Sequence, residues 1–368
     1  MAGEFNPSAY DPEKWILAAK QAGFTYVVLT TKHHDGYCLW PSEYGNLNTA
    51  KFMDNRDLLK PYVEACRKYG MKVGFYFSPR DWSNPDYQLP YPDYDYTRKA
   101  SNKGFPDSIK QQKFDSFFNT TIGQLSELLT RYGKTDLLWF DGIDWPEVNT
   151  YHGKMHTWLR TIQPGMVINP RWNTNDENQA FGDYITEEVE WAKHPEKKPK
   201  DLKPGDWWEF CNSWSGHWGY SPTYTFTDLN EIIRVLAYAR SYGGNYLLNI
   251  GPAPDGTMRP GFYAECQKLA AWMDKNSESV TGTEGVINWP EISNVPLTKK
   301  GHCYYAHILK DHAGPAIVKI NRKPLQVIML STGQNASFTW SKQAGLTISA
   351  AENHKENFDT VVKIIYAE

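Results

Sequence analysis

The sequence predicts an α/β protein in which a parallel sheet or barrel is followed by a small antiparallel β-sandwich. Seven apolar segments, each consistent with a strand, alternate mostly with helical patterns, which is the order of a parallel sheet or barrel. After about residue 282 the chain changes to short alternating runs separated by turn residues, with no helical stripe. At 368 residues the chain is long enough for one large domain and a smaller one. We therefore expect domains at residues 1–282 and 283–368.

The first four strand segments lie between well-marked helices. The first helix begins at Asp11-Pro12, an N-cap followed by proline at the first helical position. The clearest apolar stripe of the chain predicts a helix over residues 109–132. Residues 79–106 are rich in proline and aromatic residues and are predicted to form a long loop, in which an ordered binding wall is expected from Trp82, Tyr87, Tyr91, Tyr94 and Tyr96. The predicted strands are residues 25–31, 71–78, 136–141 and 166–170.

The second half of the α/β region follows the same pattern. Asp228 with Glu231 three residues later is a capping-box start for a helix that Gly243-Gly244 ends. The segment 193–203 is rich in lysine and proline and is expected to be a solvated loop. Strands are predicted at residues 182–186, 207–212 and 245–250, and in the final region at 303–309, 316–320, 326–330, 346–350 and 360–365.

Composition excludes several classes of function. The net charge is −3 without a basic block, so no nucleic-acid or anionic-membrane partner is expected. No run approaches the roughly 18 apolar residues of a membrane span, and the first residues do not form a signal peptide. The five cysteines are scattered without a CxxC pair, so neither zinc nor a disulfide framework is indicated. The sequence indicates no cofactor and leaves the oligomeric state open.

Polar side chains follow the predicted strands. They are His33 and His34, then Tyr76–Arg80, Asp141, Arg171, Glu188 and Glu209. Since the carboxyl ends of parallel strands meet at one edge, these groups would converge there. Adjacent histidines point in different directions, which favours hydrogen bonding over metal binding. Two carboxylates from different strands, surrounded by hydrogen-bond donors, suit glycoside hydrolysis.

These segments resemble a glycoside hydrolase family 29 α-L-fucosidase over about residues 4–290, in agreeing order and spacing. The motifs that carry the resemblance are Tyr26–Trp40, Arg56–Trp82, Leu137–Gly142 (LLWFDG), Asn169–Trp172 (NPRW), Gly182–Glu188, Trp207–Cys211 and Gly243–Gly256.

The resemblance implies a (β/α)8-like barrel, a C-terminal β-sandwich and retaining hydrolysis of terminal α-L-fucosides on oligosaccharides or glycoconjugates. By position, Asp141 matches the nucleophile and Glu188 the acid/base, with Glu209 as the rival acid. The substrate-binding residues that the resemblance implies are His33, His34, Tyr76, Trp139, Arg171, Trp40 and Glu209. No metal is implied.

One departure from the family pattern concerns the start of the chain. The usual first barrel strand, with its His-Trp-Gly motif, is not found before Phe5-Asn6-Pro7. Either the sequence is a fragment or the barrel closes differently, and we expect weak or absent activity unless another chain or a loop fills the gap. Two alternatives stay open: a non-catalytic or weakly active fucose-binding protein, and a glycosidase for the related sugar L-galactose. The linkage preference is also open.

Overall fold

The computed structural model of the protein describes residues 2–88, 107–142, 152–172, 182–349 and 358–368. The chain divides into two compact units. The first contains Met1–Lys20, Phe24–Tyr184 and Pro254–Thr257, and the second contains Gln21–Gly23, Ile185–Ala253 and Met258–Glu368. Within the described ranges, no helix combines the length and the apolarity needed to cross a membrane.

The first unit is built on a parallel sheet. Its strands are β1 (Tyr26–Lys32), β2 (Lys72–Phe77), β3 (Leu137–Phe140) and β4 (Val167–Ile168), hydrogen-bonded in that order. The Tyr62 hydroxyl donates to the carbonyl oxygens of Val27 and Gly74 at 2.9 and 3.0 Å, which ties the helix of Tyr62 to two strands. The helices are α1 (Pro12–Gln21), α2 (Thr49–Phe52), α3 (Leu59–Lys68), α4 (Pro85–Gln88), α5 (Asp107–Arg131) and α6 (His152–Ile162).

The second unit combines a further parallel sheet with two antiparallel sheets. The parallel strands are β5 (Ile185–Glu187), β6 (Trp208–Ser213) and β7 (Asn245–Asn249), again in chain order. The helices are α7 (Leu229–Ser241), α8 (Phe262–Asn276) and α9 (Trp289–Ile292). The antiparallel strands are β8 (Glu284–Gly285), β9 (Leu297–Lys300), β10 (Cys303–Ile308), β11 (Ala316–Val318), β12 (Gln326–Met329), β13 (Phe338–Ser341), β14 (Gly345–Ile348) and β15 (Thr360–Ile365).

The antiparallel sheets have the orders β12-β15-β10-β9-β8 and β11-β14-β13. Val362 and Ile364 of the first sheet and Val318 and Ile348 of the second belong to one buried cluster, so the two sheets pack face to face as a sandwich. The cluster also includes Phe210 of β6. The domain boundary expected at residues 282 and 283 remains a prediction.

The structure confirms the predicted α/β class, the seven parallel strands and the antiparallel region after them. Strands β8, β9 and β13 were not predicted, because they are short and carry charged or exposed residues where an apolar alternation would indicate a strand. The beginning of the helix that ends at Ile162, predicted from residue 147, lies outside the described residues.

The predicted aromatic wall is only partly within the described residues. Tyr91, Tyr94 and Tyr96 lie outside them. Tyr87 is 2% exposed and packs on Phe117 with ring centroids 5.0 Å apart, so its expected role in a binding wall is wrong and it belongs to the core. The ring centroids of Trp82 and His34 lie 5.3 Å apart.

Candidate active site

Asp141 directly follows β3, the most buried strand of the first sheet. The backbone N–H and carbonyl of Phe140 have no partner in β4, because β4 ends at Ile168. The side chain of Asn169 pairs with both groups instead. Asn169 Oδ1 accepts from the Phe140 N–H at 2.7 Å, and Nδ2 donates to the Phe140 carbonyl at 2.8 Å. Next to Asp141, Gly142 has a φ of 62° and donates its N–H to the Arg171 carbonyl at 2.6 Å. The backbone on both sides of Asp141 is therefore held by the segment after β4.

Three side chains surround the Asp141 carboxylate. The Tyr76 hydroxyl donates to Oδ2 at 2.6 Å. His34 Nε2 lies 3.4 Å from the same oxygen, and Arg171 Nη1 lies 3.8 Å from Oδ1. Burial, followed by the adjacent carboxylate, raises the pKa of Tyr76 well above its usual range, so the hydroxyl stays protonated as a donor. The carboxylate is thus oriented by a short hydrogen bond and faces a permanent positive charge.

Flat groups form a continuous row beside this carboxylate. His33 stacks on Tyr76 with centroids 5.7 Å apart and 7° between the ring planes, and Tyr76 stacks on Trp139 at 5.4 Å and 16°. The guanidinium carbon of Arg171 lies 4.8 Å from the centre of the Trp139 ring. The parallel register places Tyr76 opposite Trp139 on neighbouring strands, which explains their contact. The row gives the site a rigid aromatic surface.

His34 is buried and uncharged at neutral pH. Its exposed fraction is 7%, and its Nδ1 contacts the Ser78 hydroxyl at 2.5 Å, which fixes the orientation of the ring. Burial, and then the neighbouring His33, lower the pKa of His34 to about 4, although Asp141 acts in the opposite direction. The contact with Asp141 is therefore not an ion pair at pH 7, and the neutral ring can form hydrogen bonds with a ligand.

The expectation that the adjacent histidines point in different directions is wrong: the ring centroids of His33 and His34 lie 4.1 Å apart, and His33, His34 and Asp141 bring candidate metal-ligand atoms within 4.8 Å of one another. Two features favour hydrogen bonding over ligation. Tyr76 already donates to the carboxylate oxygen that faces His34, and the Arg171 cation lies beside the other oxygen. A divalent cation would have to be accommodated next to that positive charge.

A buried ion pair supports the loops that carry the histidines. Lys32 at the end of β1 is 1% exposed, and its Nζ lies 3.2 Å from Asp81 Oδ2 and donates to Gln124 at 3.1 Å. Asp81 Oδ1 accepts from the Ser83 N–H and hydroxyl and from the Asn84 N–H. Because its polar atoms are paired, this cluster fixes the segment after β2 against the end of β1.

Glu188 belongs to the second unit, where it directly follows β5 and is half-buried. The Cys211 thiol donates to Glu188 Oε1 at 3.7 Å. Glu209 is 4% exposed and is the second residue of β6, so its expected place at a strand end is wrong. In the parallel register Glu209 lies opposite Thr186, which precedes Glu188 by two residues. Glu209 is therefore about 6.6 Å nearer than Glu188 to the edge of the sheet where the strands begin.

Trp40 does not join the aromatic row. It is completely buried and donates its indole N–H to Glu127 Oε2 at 2.8 Å. Glu127 also accepts from the Ser42 hydroxyl and the Glu43 N–H, so this carboxylate fixes the loop after β1 from within the core. The structure thus places Trp40 in the core of the first unit.

Sequence reasoning included Ser78 and Asn169 in the strand-end and motif segments but did not identify them as residues that position the site. Both are small polar residues within one position of a strand end, and each precedes a proline. A polar residue at such a point is available to pair with loop backbone or with a neighbouring side chain. That signal was present, but it does not identify the partner.

Comparisons with known proteins agree with this fold and site. The sequence profile of a family described as "Alpha-L-fucosidase" matches residues 1–278. The human tissue alpha-L-fucosidase is 33% identical over 318 residues, which are 83% of this chain and 63% of the human protein. The chain therefore spans less than two thirds of the length of that relative.

Solved structures are similar over the whole chain. Alpha-L-fucosidase isoenzyme 1 from Paenibacillus thiaminolyticus has a TM-score of 0.82 at 29% identity, covering 99% of this chain and 88% of its own. A GH29 alpha-L-fucosidase from Bacteroides thetaiotaomicron, solved as a trapped covalent intermediate with 2-fluoro-fucosyl fluoride, has a TM-score of 0.83 at 26% identity. That alignment covers 100% of this chain and 84% of the Bacteroides chain.

Proposed function

The chain belongs to the α-L-fucosidase family, and from this premise we propose that it is a retaining α-L-fucosidase. Its substrates are terminal α-L-fucosyl residues of oligosaccharides or glycoconjugates. The observation that carries the proposal is the set of groups around Asp141: a donor from Tyr76, a cation from Arg171 and a neutral imidazole from His34.

Asp141 is the proposed nucleophile. In a double displacement a carboxylate attacks the anomeric carbon and forms a glycosyl ester, which water then hydrolyses. The attack requires an ionised oxygen held in one orientation. Tyr76 holds Oδ2, which leaves Oδ1, on the Arg171 side, as the oxygen for attack.

Glu188 is the proposed acid/base. It would protonate the departing glycosidic oxygen and later take the proton of the attacking water. Its position after the carboxyl end of β5 supports this role over Glu209, which is buried nearer the opposite edge of the same sheet. In parallel α/β enzymes the reacting groups are found at the carboxyl ends of strands.

The aromatic row supports recognition of a deoxy sugar. Trp139 and Tyr76 offer apolar faces to the sugar ring and its methyl group, while His33, His34 and Arg171 offer polar atoms to the hydroxyls. A pocket of this type combines mostly apolar walls with a few placed polar groups.

Covalent trapping tests the nucleophile directly. The full chain is incubated with 2-fluoro-fucosyl fluoride and digested, and the labelled peptide is identified by mass spectrometry. We expect the label on Asp141, and Asp141→Asn should lower hydrolysis of an aryl α-L-fucoside by at least about a thousandfold. Asp136→Asn, at the other end of the same strand, is the matched control and should still be labelled. Fucose binding without labelling or turnover would contradict the proposed hydrolysis.

The acid/base is tested with Glu188→Ala. With an aryl fucoside that has a good leaving group, the rate of the first step should fall little, because such a group departs with little need for protonation. Azide should restore turnover, because it replaces the attacking water and does not need a general base. Glu190→Ala is the control, because this exposed carboxylate pairs only with Lys193 among the contacts described. Rescue of Glu209→Ala in place of Glu188→Ala would reverse the assignment.

A further inference from the structure

The C-terminal sandwich contains a cleft of about 610 Å³ that the proposed reaction does not use. It lies where β9 turns into β10, beside residues 320–322, which follow β11, and residues 366–368, which follow β15. Its volume is within the range of roughly 300–1,000 Å³ typical of small-molecule sites. The side chains that matter for its chemistry are Lys299, His302, Tyr304, Asn321, Arg322 and Tyr366.

The charge of the cleft differs from that of the whole protein. The chain has a net charge of −3, whereas the cleft is lined by two cationic side chains, Lys299 and Arg322, with Glu368 as the one carboxylate side chain among its described lining residues. Arg322 Nη1 donates to the Ala367 carbonyl at 2.8 Å, which holds one terminal nitrogen of the guanidinium beside the end of the chain segment that lines the cleft. Its remaining N–H donors suit a planar anionic group.

Two tyrosines form the inner wall. Tyr304 and Tyr366 meet edge to face with centroids 5.7 Å apart, and Lys299 Nζ lies 5.8 Å from the centre of the Tyr304 ring. Tyr304 lies directly opposite Lys299 in the antiparallel register, so the cation and the ring share one face of the sheet. Burial raises the pKa of Tyr366 to about 12, so its hydroxyl stays protonated at neutral pH.

We propose that this cleft binds a saccharide that carries an anionic group, with the anion on Arg322 and Lys299 and the sugar ring against Tyr304. Aromatic walls beside the hydrogen-bonding amide of Asn321 favour a sugar ring over a bare anion. The saccharide part rests on the proposed function, since the glycans that present fucose would reach both sites. The shared ligand chemistry is a carboxylate or a sulfate on a sugar.

Calorimetric titration of the full chain tests the binding. The probes are 3′-sialyllactose for the carboxylate, lactose 6-sulfate for the sulfate, lactose as the neutral sugar and inorganic sulfate as the bare anion. We expect at least one anionic saccharide to bind saturably with a dissociation constant below about 10 mM, and lactose and inorganic sulfate to bind at least about tenfold more weakly.

The variants locate the site. Arg322→Gln and Lys299→Gln should each weaken binding by about tenfold, whereas Arg322→Lys should weaken it less than Arg322→Gln, because the charge remains but the paired N–H donors are lost. Lys323→Gln and Lys300→Gln are matched controls: each is the exposed neighbour of a lining residue, and Lys300 points toward Gly282 instead. Thermal unfolding checks that each variant is folded.

Three results would overturn the inference: no saturable binding of either anionic saccharide, equal binding of lactose or sulfate, or equal losses in the control variants. Hydrolysis of an aryl α-L-fucoside is measured in the same variants and should be unchanged. Failure of that activity in the wild-type chain with binding intact would refute only the proposed function. Normal hydrolysis without preferential binding of an anionic saccharide in the cleft would refute only this inference.

Discussion

Replacing Asn169 with alanine should destabilise the protein far more than removal of a similar amide on the surface. Asn169 is fully buried, and its side chain forms hydrogen bonds with both the backbone N–H and the backbone carbonyl of Phe140, which is itself fully buried. Without that side chain, the Phe140 N–H and carbonyl have no strand partner, because β4 ends at Ile168. An unsatisfied buried group costs about 1–3 kcal/mol, so the two together should lower the free energy of unfolding by about 2–6 kcal/mol.

The protein contains a matched control for this change. Asn294 makes the same pair of contacts, accepting from the Ile317 N–H at 2.7 Å and donating to the Pro315 carbonyl at 3.1 Å, but it is exposed to solvent. Water can replace those bonds, so Asn294→Ala should cost less than about 1.5 kcal/mol. Urea denaturation of both variants and the wild type measures the difference.

A second readout concerns the position of Asp141, which follows Phe140 directly. A displacement of about 1 Å at a reacting group can cost about a hundredfold in rate, so Asn169→Ala should lower kcat on an aryl α-L-fucoside by about that factor. Asn294→Ala should leave kcat unchanged. Equal stability losses in the two variants would refute the reasoning from burial, and an unaltered kcat in a folded Asn169→Ala would refute the positioning role.

Three further predictions concern single side chains. Tyr76→Phe keeps the stacked ring but releases the carboxylate of Asp141, so kcat should fall by about 10- to 100-fold in steady-state kinetics. The pKa of His34 is about 4 in the folded protein and near 6.5 in the unfolded chain. The unfolded chain therefore takes up the proton first, and the free energy of unfolding decreases as pH falls from about 6.5 to 4. His34→Gln should remove up to about 3 kcal/mol of that decrease, measured by urea denaturation. Burial raises the pKa of Asp359 to about 7, so the folded protein retains the proton and stability is lost as pH rises from about 4 to 7. Asp359→Asn keeps the acceptor for the Lys310 N–H and should remove this loss of up to about 4 kcal/mol.

The opposite signs make the last two predictions easy to contradict. His34→Gln should flatten the acid side of the stability curve, and Asp359→Asn should raise its neutral side. A His34→Gln curve parallel to that of the wild type below pH 6, or an Asp359→Asn variant that loses stability at pH 8, would show that these groups do not titrate as their burial requires. For Tyr76→Phe, kcat within twofold of the wild type would remove the proposed constraint on the carboxylate.

Much of the fold could be predicted because burial leaves a local pattern. Leu137 to Phe140 form an uninterrupted apolar run, so a strand buried on both faces was predictable, and Asp141 followed at its end. The stripe of α5 and the capping box of α7 likewise indicated their helices. β9 and β13 escaped prediction, since their charged or exposed residues remove the apolar alternation that marks a strand.

The candidate site could be predicted only as a set of residue types near strand ends. Asp141, Tyr76, His34 and Arg171 were all identified, yet Glu209 was placed at the wrong end of its strand. Its depth depends on where β6 begins relative to β5, which neighbouring residues along the chain do not specify.

By itself, the sequence determined the order of the strands and helices, the alternation that makes the first sheets parallel, and the residue types available where strands end. Only the tertiary structure decided which of these side chains meet. Tyr76 reaches Asp141 across 65 positions of chain because the register pairs Tyr76 with Trp139, and Trp40 turns inward to Glu127 across 87. The physical reason is that local patterns report burial and period, whereas contacts depend on register and on the pairing of buried polar groups, which the packed molecule sets as a whole.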